Sequence, residues 1–199
     1  MGKLILIRHG ETEKNTNSKL HGADDPETLN ETGIKQIELT ASAIKGLQPS
    51  IVFSSKEDRA LESAKIISNS LQIPIEPIDG IQERNWGIFT DKPWSEVKVV
   101  LDPMSLNERY NYVPPQGESW KTFESRLVMS INKISSDNRG NTIAVVTHGG
   151  VIRALMPFLL SIPKEESFKF DPSNASITIF DFDNNGFHKI SINDTSHLK

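Results

Sequence analysis

The chain contains no cysteine. Thiol nucleophiles, disulfides and thiolate metal centres are therefore excluded, and a reducing compartment is the natural setting. Long hydrophobic runs are missing too. The apolar stretch 4–7 stops at Arg8, too short for the core of a signal peptide. The stretch 143–160 is broken by His148, two glycines, Arg153 and Pro157, so it reads as strand, turn and helix rather than a membrane span. There is no basic excess either. Net charge is −4 and the pI is about 5.8, which leaves no general field to hold nucleic acid or an anionic membrane. The expectation is a cytoplasmic protein without nucleic-acid or membrane partners. An anionic substrate would have to meet positive charge gathered locally.

What is present suits one domain of 199 residues with a sizeable core, 36% hydrophobic and 24% charged. Residues 4–7 read as a strand buried on both faces. A polar loop runs from Gly10 to about Asn30. Ile34, Ile37, Ala41 and Ile44 then mark one face of a helix, with Asn30 or Thr32 as its cap. Residues 51–53 form a second strand. Ser55 with Asp58 has the spacing of a capping box for the next helix, whose buried face is Ala60, Ala64, Ile67 and Leu71. An edge strand is expected over 73–78.

The stretch 91–117 is irregular and proline-rich, and reads as a small lid or cap inserted in the domain. Trp120, Phe123, Leu127, Ile131 and Ile134 give a further helix. Residues 143–146 are a third buried strand, turned by Gly149-Gly150 into a helix from Val151. Residues 176–180 and 187–190 read as a closing hairpin across Asp183-Asn184-Asn185-Gly186. The whole is an α/β three-layer sandwich, a mostly parallel central sheet flanked by helices.

In such sheets, sites form beyond the carboxyl ends of strands. Arg8-His9-Gly10 directly follows the first strand and Thr147-His148-Gly149-Gly150 the third, while Arg59 opens the helix after the second. Arg8 and Arg59 offer forked donors that match phosphate oxygens in pairs. A neutral imidazole, His9, can attack phosphorus and split one hard displacement into two easier ones. His148 can donate to the equatorial oxygens as charge redistributes. Gly10 and Gly149 would let backbone amides approach the phosphoryl group. A leaving alkoxide also needs a proton, for which Glu83 is a candidate; Glu11, Glu13 and Asp79 compete with it on composition. With Arg and His supplying the positive charge, no metal and no cofactor are called for.

Leu4 to Asn15 (LILIRHGETEKN), Leu29-Asn30-Glu31-Thr32-Gly33, Ser54-Ser55 with Arg59-Ala60, Glu83 with Gly87, Gly117-Glu118-Ser119 with Arg126, and Thr147-His148-Gly149-Gly150 occur in a specific order and spacing. In these the chain resembles the histidine phosphatase superfamily, specifically its phosphoglycerate-mutase-like branch, nearly end to end. The resemblance implies that His9 is phosphorylated, that Arg8, Arg59 and His148 form the phosphate pocket, and that Glu83 is the proton donor. It also sets Asn15 against the phosphate. Thr12, Arg84, Gly149 and His21 complete the candidate substrate-binding set. Arg126 is read as a structural ion-pair partner, and Trp94, Tyr110 and Tyr112 as the aromatics of the cap with a chance of lining the pocket.

Mutases of this branch carry an inserted Trp-Arg-Arg segment that this chain lacks, so hydrolysis is favoured over the alternative, a cofactor-dependent phosphoglycerate mutase. After Gly87 the chain has Phe89-Thr90-Asp91 where the common phosphatase continuation has Trp-Glu-Gly. The expected substrate is a small phosphorylated metabolite: a sugar phosphate, phosphoserine, or a nucleoside phosphate such as ribazole phosphate. A protein phosphatase or phosphoprotein-binding role is the other alternative. The protein is expected to be a monomer or homodimer.

Overall fold

A computed structural model describes residues 1–22 and 26–199; part of the polar loop anticipated between Gly10 and Asn30 therefore lies outside the described residues. The sheet is built from β1 (Gly2–Arg8), β2 (Ile51–Ser55), β3 (Ile75–Ile78), β4 (Thr142–Thr147), β5 (Ile177–Asp183) and β6 (Gly186–Asp194), in the order β3-β2-β4-β1-β5-β6. The four strands β3, β2, β4 and β1 run parallel; β5 and β6 are antiparallel additions at one edge.

The unbroken apolar character of β1 and β4 has a simple cause. Leu4, Leu6, Ile143 and Val145 point into one core, Ile5, Ile7, Ala144 and Val146 into another. A central strand covered on both faces has no side to leave polar. The first core is closed by α6 (Trp120–Asp137) and α7 (Gly149–Leu160), the second by α2 (Glu31–Ile44) and α3 (Asp58–Leu71), which gives three layers.

Asn30 caps α2, its side chain accepting the Gly33 amide, and Thr32 lies inside the helix. The capping box read from Ser55 and Asp58 is not formed. Glu57 is the N-cap of α3 without a side-chain cap bond, and the Ser55 hydroxyl is engaged elsewhere. His148, not Gly150, immediately precedes α7, so the helix starts two residues earlier than expected. The edge strand is shorter than its sequence pattern, and the closing hairpin is longer, with β5 paired to β1 from Ile177 to Phe182.

Residues 91–117 carry two short helices, α4 (Trp94–Leu101) and α5 (Leu106–Asn111). They pack a small cluster of Trp86, Val97 and Leu101, joined by Leu20, Phe89, Met104 and Tyr112. Lys19 bridges Pro93, and the Leu20 amide donates to Lys92, which ties this region to the loop after α1 (Glu13–Thr16). Among the described residues no helix is long and apolar enough to cross a membrane.

Candidate active site

The strand order decides the site. β1 and β4 are neighbours in register, Arg8 opposite Thr147, so the residues that follow them meet: the His9 amide donates to the Thr147 carbonyl at 2.9 Å. Their rings stand edge to face, centroids 5.3 Å apart. β2 lies on the other side of β4 and delivers Ser55, Glu57 and Arg59 to the same end of the sheet. Here the winding of the sheet changes direction, which is where α/β sheets open a crevice.

His9 is 2% exposed. Its Nδ1–H donates to the carbonyl of Gly10 at 2.7 Å, so Nε2 is the ring atom left with a lone pair. Burial, then the charges of Arg59, His148, Arg8 and His21, push its pKa well below the ordinary histidine value, so the ring is neutral. Arg8 Nη1 donates to the Pro172 carbonyl at 2.7 Å while its Nε has no partner. Burial lowers the Arg8 pKa to about 10, against the pull of Glu83 and Asp171, and the group stays charged near neutrality. Arg59, wholly buried, offers Nε and Nη1 without partners, and His148 does the same with Nδ1. Buried donors without acceptors are costly. Four of them on three elements beside one neutral histidine make a cradle for an anion.

Glu83 is held by both oxygens: Oε2 accepts the Gly150 amide at 3.0 Å and Oε1 the Arg84 amide at 2.7 Å. Its loop is fixed from behind. Arg126 donates to the carbonyls of Gly80, Gln82 and Glu83 and pairs with Glu118 at 2.7 Å, the structural role anticipated for it. Asn15 spends its carbonyl oxygen on Thr12 and on the Asn174 amide (2.9 Å), which leaves its NH2 group for the cavity it lines. His21 also lines that cavity, 5.7 Å from His9 between ring centroids. Its Nε2 is 3.0 Å from the Thr12 hydroxyl and 2.6 Å from Glu27 Oε2. Burial among the cations of Arg59, His148, Arg8 and Lys14 nevertheless lowers its pKa to about 2.

Three expectations change. Thr12 does not reach the cavity; it is wholly buried, caps α1 and orients Asn15 and His21. Arg84 lines the cavity but spends donors on the carbonyls of Glu118 and Tyr112, lying 4.2 Å over the Trp86 ring. These bonds from Nε and Nη2 hold the end of the cap while the side chain still borders the cavity. The Gly10 amide is not aimed at an anion, since it donates to Ser63 Oγ at 3.2 Å; a Cβ on Gly10 would sit 2.5 Å from the Gly33 carbonyl oxygen, so close backbone packing is what requires glycine there. Gly149 does line the cavity, against the Arg8 guanidinium.

The cavity above His9 measures about 480 Å³. Arg59 and His148 are wholly buried and are not among the residues that line it. Trp94 reaches it from the cap, whereas Tyr110 is bonded to Glu124 and Tyr112 packs within the cap cluster. Lys19, Arg109, Trp120 and Arg153 line it as well and were not singled out from sequence as ligands. Their signal depends on how the cap folds over the sheet, and no local motif announces it. A second cavity, about 550 Å³ and lined by Phe158, Phe182 and Phe187, is formed without any candidate residue. Among the described residues no three His, Asp or Glu side chains are grouped so as to hold a metal ion.

An α/β sandwich with paired histidines and arginines at the strand ends defines a class of phosphoryl-handling proteins. The chain belongs to the histidine phosphatase superfamily (branch 1), whose family model matches residues 4–195. Among its relatives is the 2,3-bisphosphoglycerate-dependent phosphoglycerate mutase of Cytophaga hutchinsonii, 29% identical over 98% of this chain and 93% of the relative. Another is the metal-independent phosphoserine phosphatase of Arabidopsis thaliana, 28% identical over 98% of this chain and 83% of that one. Among solved structures, a phosphoserine phosphatase from Entamoeba histolytica in complex with 3-phosphoglyceric acid is 30% identical over the full length of both chains, with a TM-score of 0.86.

Proposed function

We propose that this protein is a metal-independent phosphomonoesterase that hydrolyses small phosphorylated metabolites through a phosphohistidine on His9. The observation that carries the reading is the state of His9: neutral, its Nδ1 proton spent on Gly10, its Nε2 lone pair free beside the unpartnered donors of Arg8, Arg59 and His148. Nε2 attacks phosphorus and forms the P–N bond as the ester P–O bond breaks; the electron pair leaves with the alkoxide, which takes the proton of Glu83, a group that must enter the cycle as the neutral acid. Glu83 then accepts a proton from water, the resulting hydroxide forms a P–O bond, and P–N cleavage restores neutral His9 and frees inorganic phosphate. Arg8, Arg59 and His148 stabilise the equatorial oxygens in both steps, and Asn15 and Gly149 border the same space.

The E. histolytica enzyme takes up 3-phosphoglyceric acid, a compound small enough for a cavity of about 480 Å³. That supports the metabolite class. The test is hydrolysis of p-nitrophenyl phosphate in EDTA, with phosphate release undiminished, together with His9→Ala, in which turnover falls by roughly 10⁴-fold or more and acid-labile phosphoenzyme vanishes. Strict metal dependence, or labelling that survives in His9→Ala, refutes the mechanism. The C. hutchinsonii relative keeps a second reading in play, in which the same phosphohistidine hands its phosphoryl group to another metabolite. Interconversion of 2- and 3-phosphoglycerate primed by 2,3-bisphosphoglycerate would establish that reading instead.

A further inference from the structure

Glu57 is a buried carboxylate in contact with His148 and Arg59 that the hydrolytic scheme does not use. It is 5% exposed, at the N-cap of α3, and neither oxygen is idle. Oε2 contacts His148 Nε2, accepts the Ser55 hydroxyl at 3.2 Å and accepts the Glu83 amide at 2.8 Å; Oε1 pairs with Arg59 Nη2 at 3.2 Å. Burial raises its pKa, but His148, Arg59 and the Glu83 amide outweigh that and hold it well below the ordinary carboxylate range. It is an anion, and anions accept.

We propose that Glu57 is a positioning residue that fixes a proton on His148 Nε2, so that His148 grips the phosphoryl group only as a doubly protonated ring. The argument is one of counting protons and acceptors. A carboxylate cannot donate to Nε2, so Nε2 must carry hydrogen. Ser55 cannot reverse this: its hydroxyl donates to Glu57, which leaves its oxygen, 2.9 Å from Nε2, as a further acceptor. Nδ1 is then the only ring atom left for a ligand, and it has no protein partner. In a singly protonated ring Nδ1 would present a lone pair, and a lone pair repels phosphate oxygen. A donor at Nδ1 requires the second proton. With Ser55 alone opposite Nε2, a neutral ring protonated on Nδ1 would serve; the carboxylate removes that option. Of the groups facing the ring, Arg59 and Arg8 are cations and Glu57 an anion, His9 and His21 are neutral, and Glu83 is the group that exchanges the proton in the reaction. The same carboxylate ties Arg59, His148 and the Glu83 backbone together, so three of the groups assigned to the reaction share one anchor on β2–α3.

This inference rests on the phosphoryl group sitting over His9, but its test does not require turnover. Protein labelled with ¹⁵N in its histidine rings is titrated with inorganic phosphate, and the His148 signal is assigned by its loss in His148→Asn. With phosphate bound, both ring nitrogens of His148 are expected at protonated shifts in the wild type. In Glu57→Gln they are not, and kcat for p-nitrophenyl phosphate falls roughly 10²-fold with KM changed less, as for loss of one charged donor in the transition state. Glu57→Asp, which keeps the charge, is expected to recover part of kcat. A His148 ring with one bare nitrogen in the wild-type phosphate complex overturns the proposal, as does wild-type kcat in Glu57→Gln. Either result leaves the His9 mechanism standing. Turnover surviving in His9→Ala would refute that mechanism and leave the protonation of His148 as measured.

Discussion

The Gly150 amide donates to Glu83 Oε2 at 3.0 Å, and a Cβ placed on Gly150 would stand 2.2 Å from Glu83 Oε1. The close approach of helix α7 to this carboxylate is therefore possible only with glycine at 150. Because the clash falls on the end of a flexible side chain, Gly150→Ala should displace the carboxylate and leave the fold intact. If Glu83 is the proton donor, hydrolysis of an alkyl phosphate, whose leaving group needs the proton, should fall roughly 10²-fold or more. p-Nitrophenyl phosphate, with a stable leaving anion, should lose much less, and the melting temperature should hold within a few degrees. Equal loss on both substrates would remove Glu83 from that role.

A second prediction concerns the support behind the same group. Arg126 binds the carbonyls of Gly80, Gln82 and Glu83 in the Glu83 loop and contacts both Glu118 oxygens. Arg126→Ala takes the guanidinium from those carbonyls and leaves Glu118 only the Asn85 amide, which should destabilise the protein by about 1–3 kcal/mol in urea melts. Arg126→Lys should not restore it, since one ammonium cannot span the fork that meets Gly80, Gln82, Glu83 and Glu118 together. A lysine variant with wild-type stability and kcat would show that the loop holds itself.

Much of this was legible because the chemistry sits where the hydrophobic pattern stops. The apolar runs that become β1 and β4 end at Arg8-His9 and Thr147-His148, so their position at a strand end follows from periodicity alone. That these two ends are neighbours does not, because it depends on β4 inserting between β2 and β1. Glu57 was illegible for a related reason. In sequence it stands inside what reads as a helix-capping pattern, and its contact with His148 depends on the distant return of the chain on β4. Arg84 carries the opposite lesson. A guanidinium beside a candidate acid reads as a ligand clamp, yet two backbone carbonyls and a tryptophan face claim it first. His21 is a candidate substrate-binding residue from the sequence, but that its ring is buried depends on Thr12 turning inward.

The two histidines buried beside the cations make stability fall with acidity in a window that can be named. His9 titrates well below its ordinary value near 6.5, and His21 at about 2, both chiefly through burial. In the unfolded chain both take up protons as pH drops through about 6.5, while the folded protein keeps them neutral. The unfolded state then binds more protons, so unfolding free energy falls as pH decreases below that value and is flat above it. Between pH 7.5 and 5.5 the loss is expected to be on the order of 1 kcal/mol for each. Partly buried His197, also shifted downward by desolvation, acts in the same sense. Urea melts at about half-unit steps between pH 7.5 and 5.5 should trace this decline, and His21→Gln should remove close to half of the pair's share. A flat profile across that interval would mean that the folded protein takes up these protons too, and His9 could not then stay neutral at Nε2 under mildly acidic conditions.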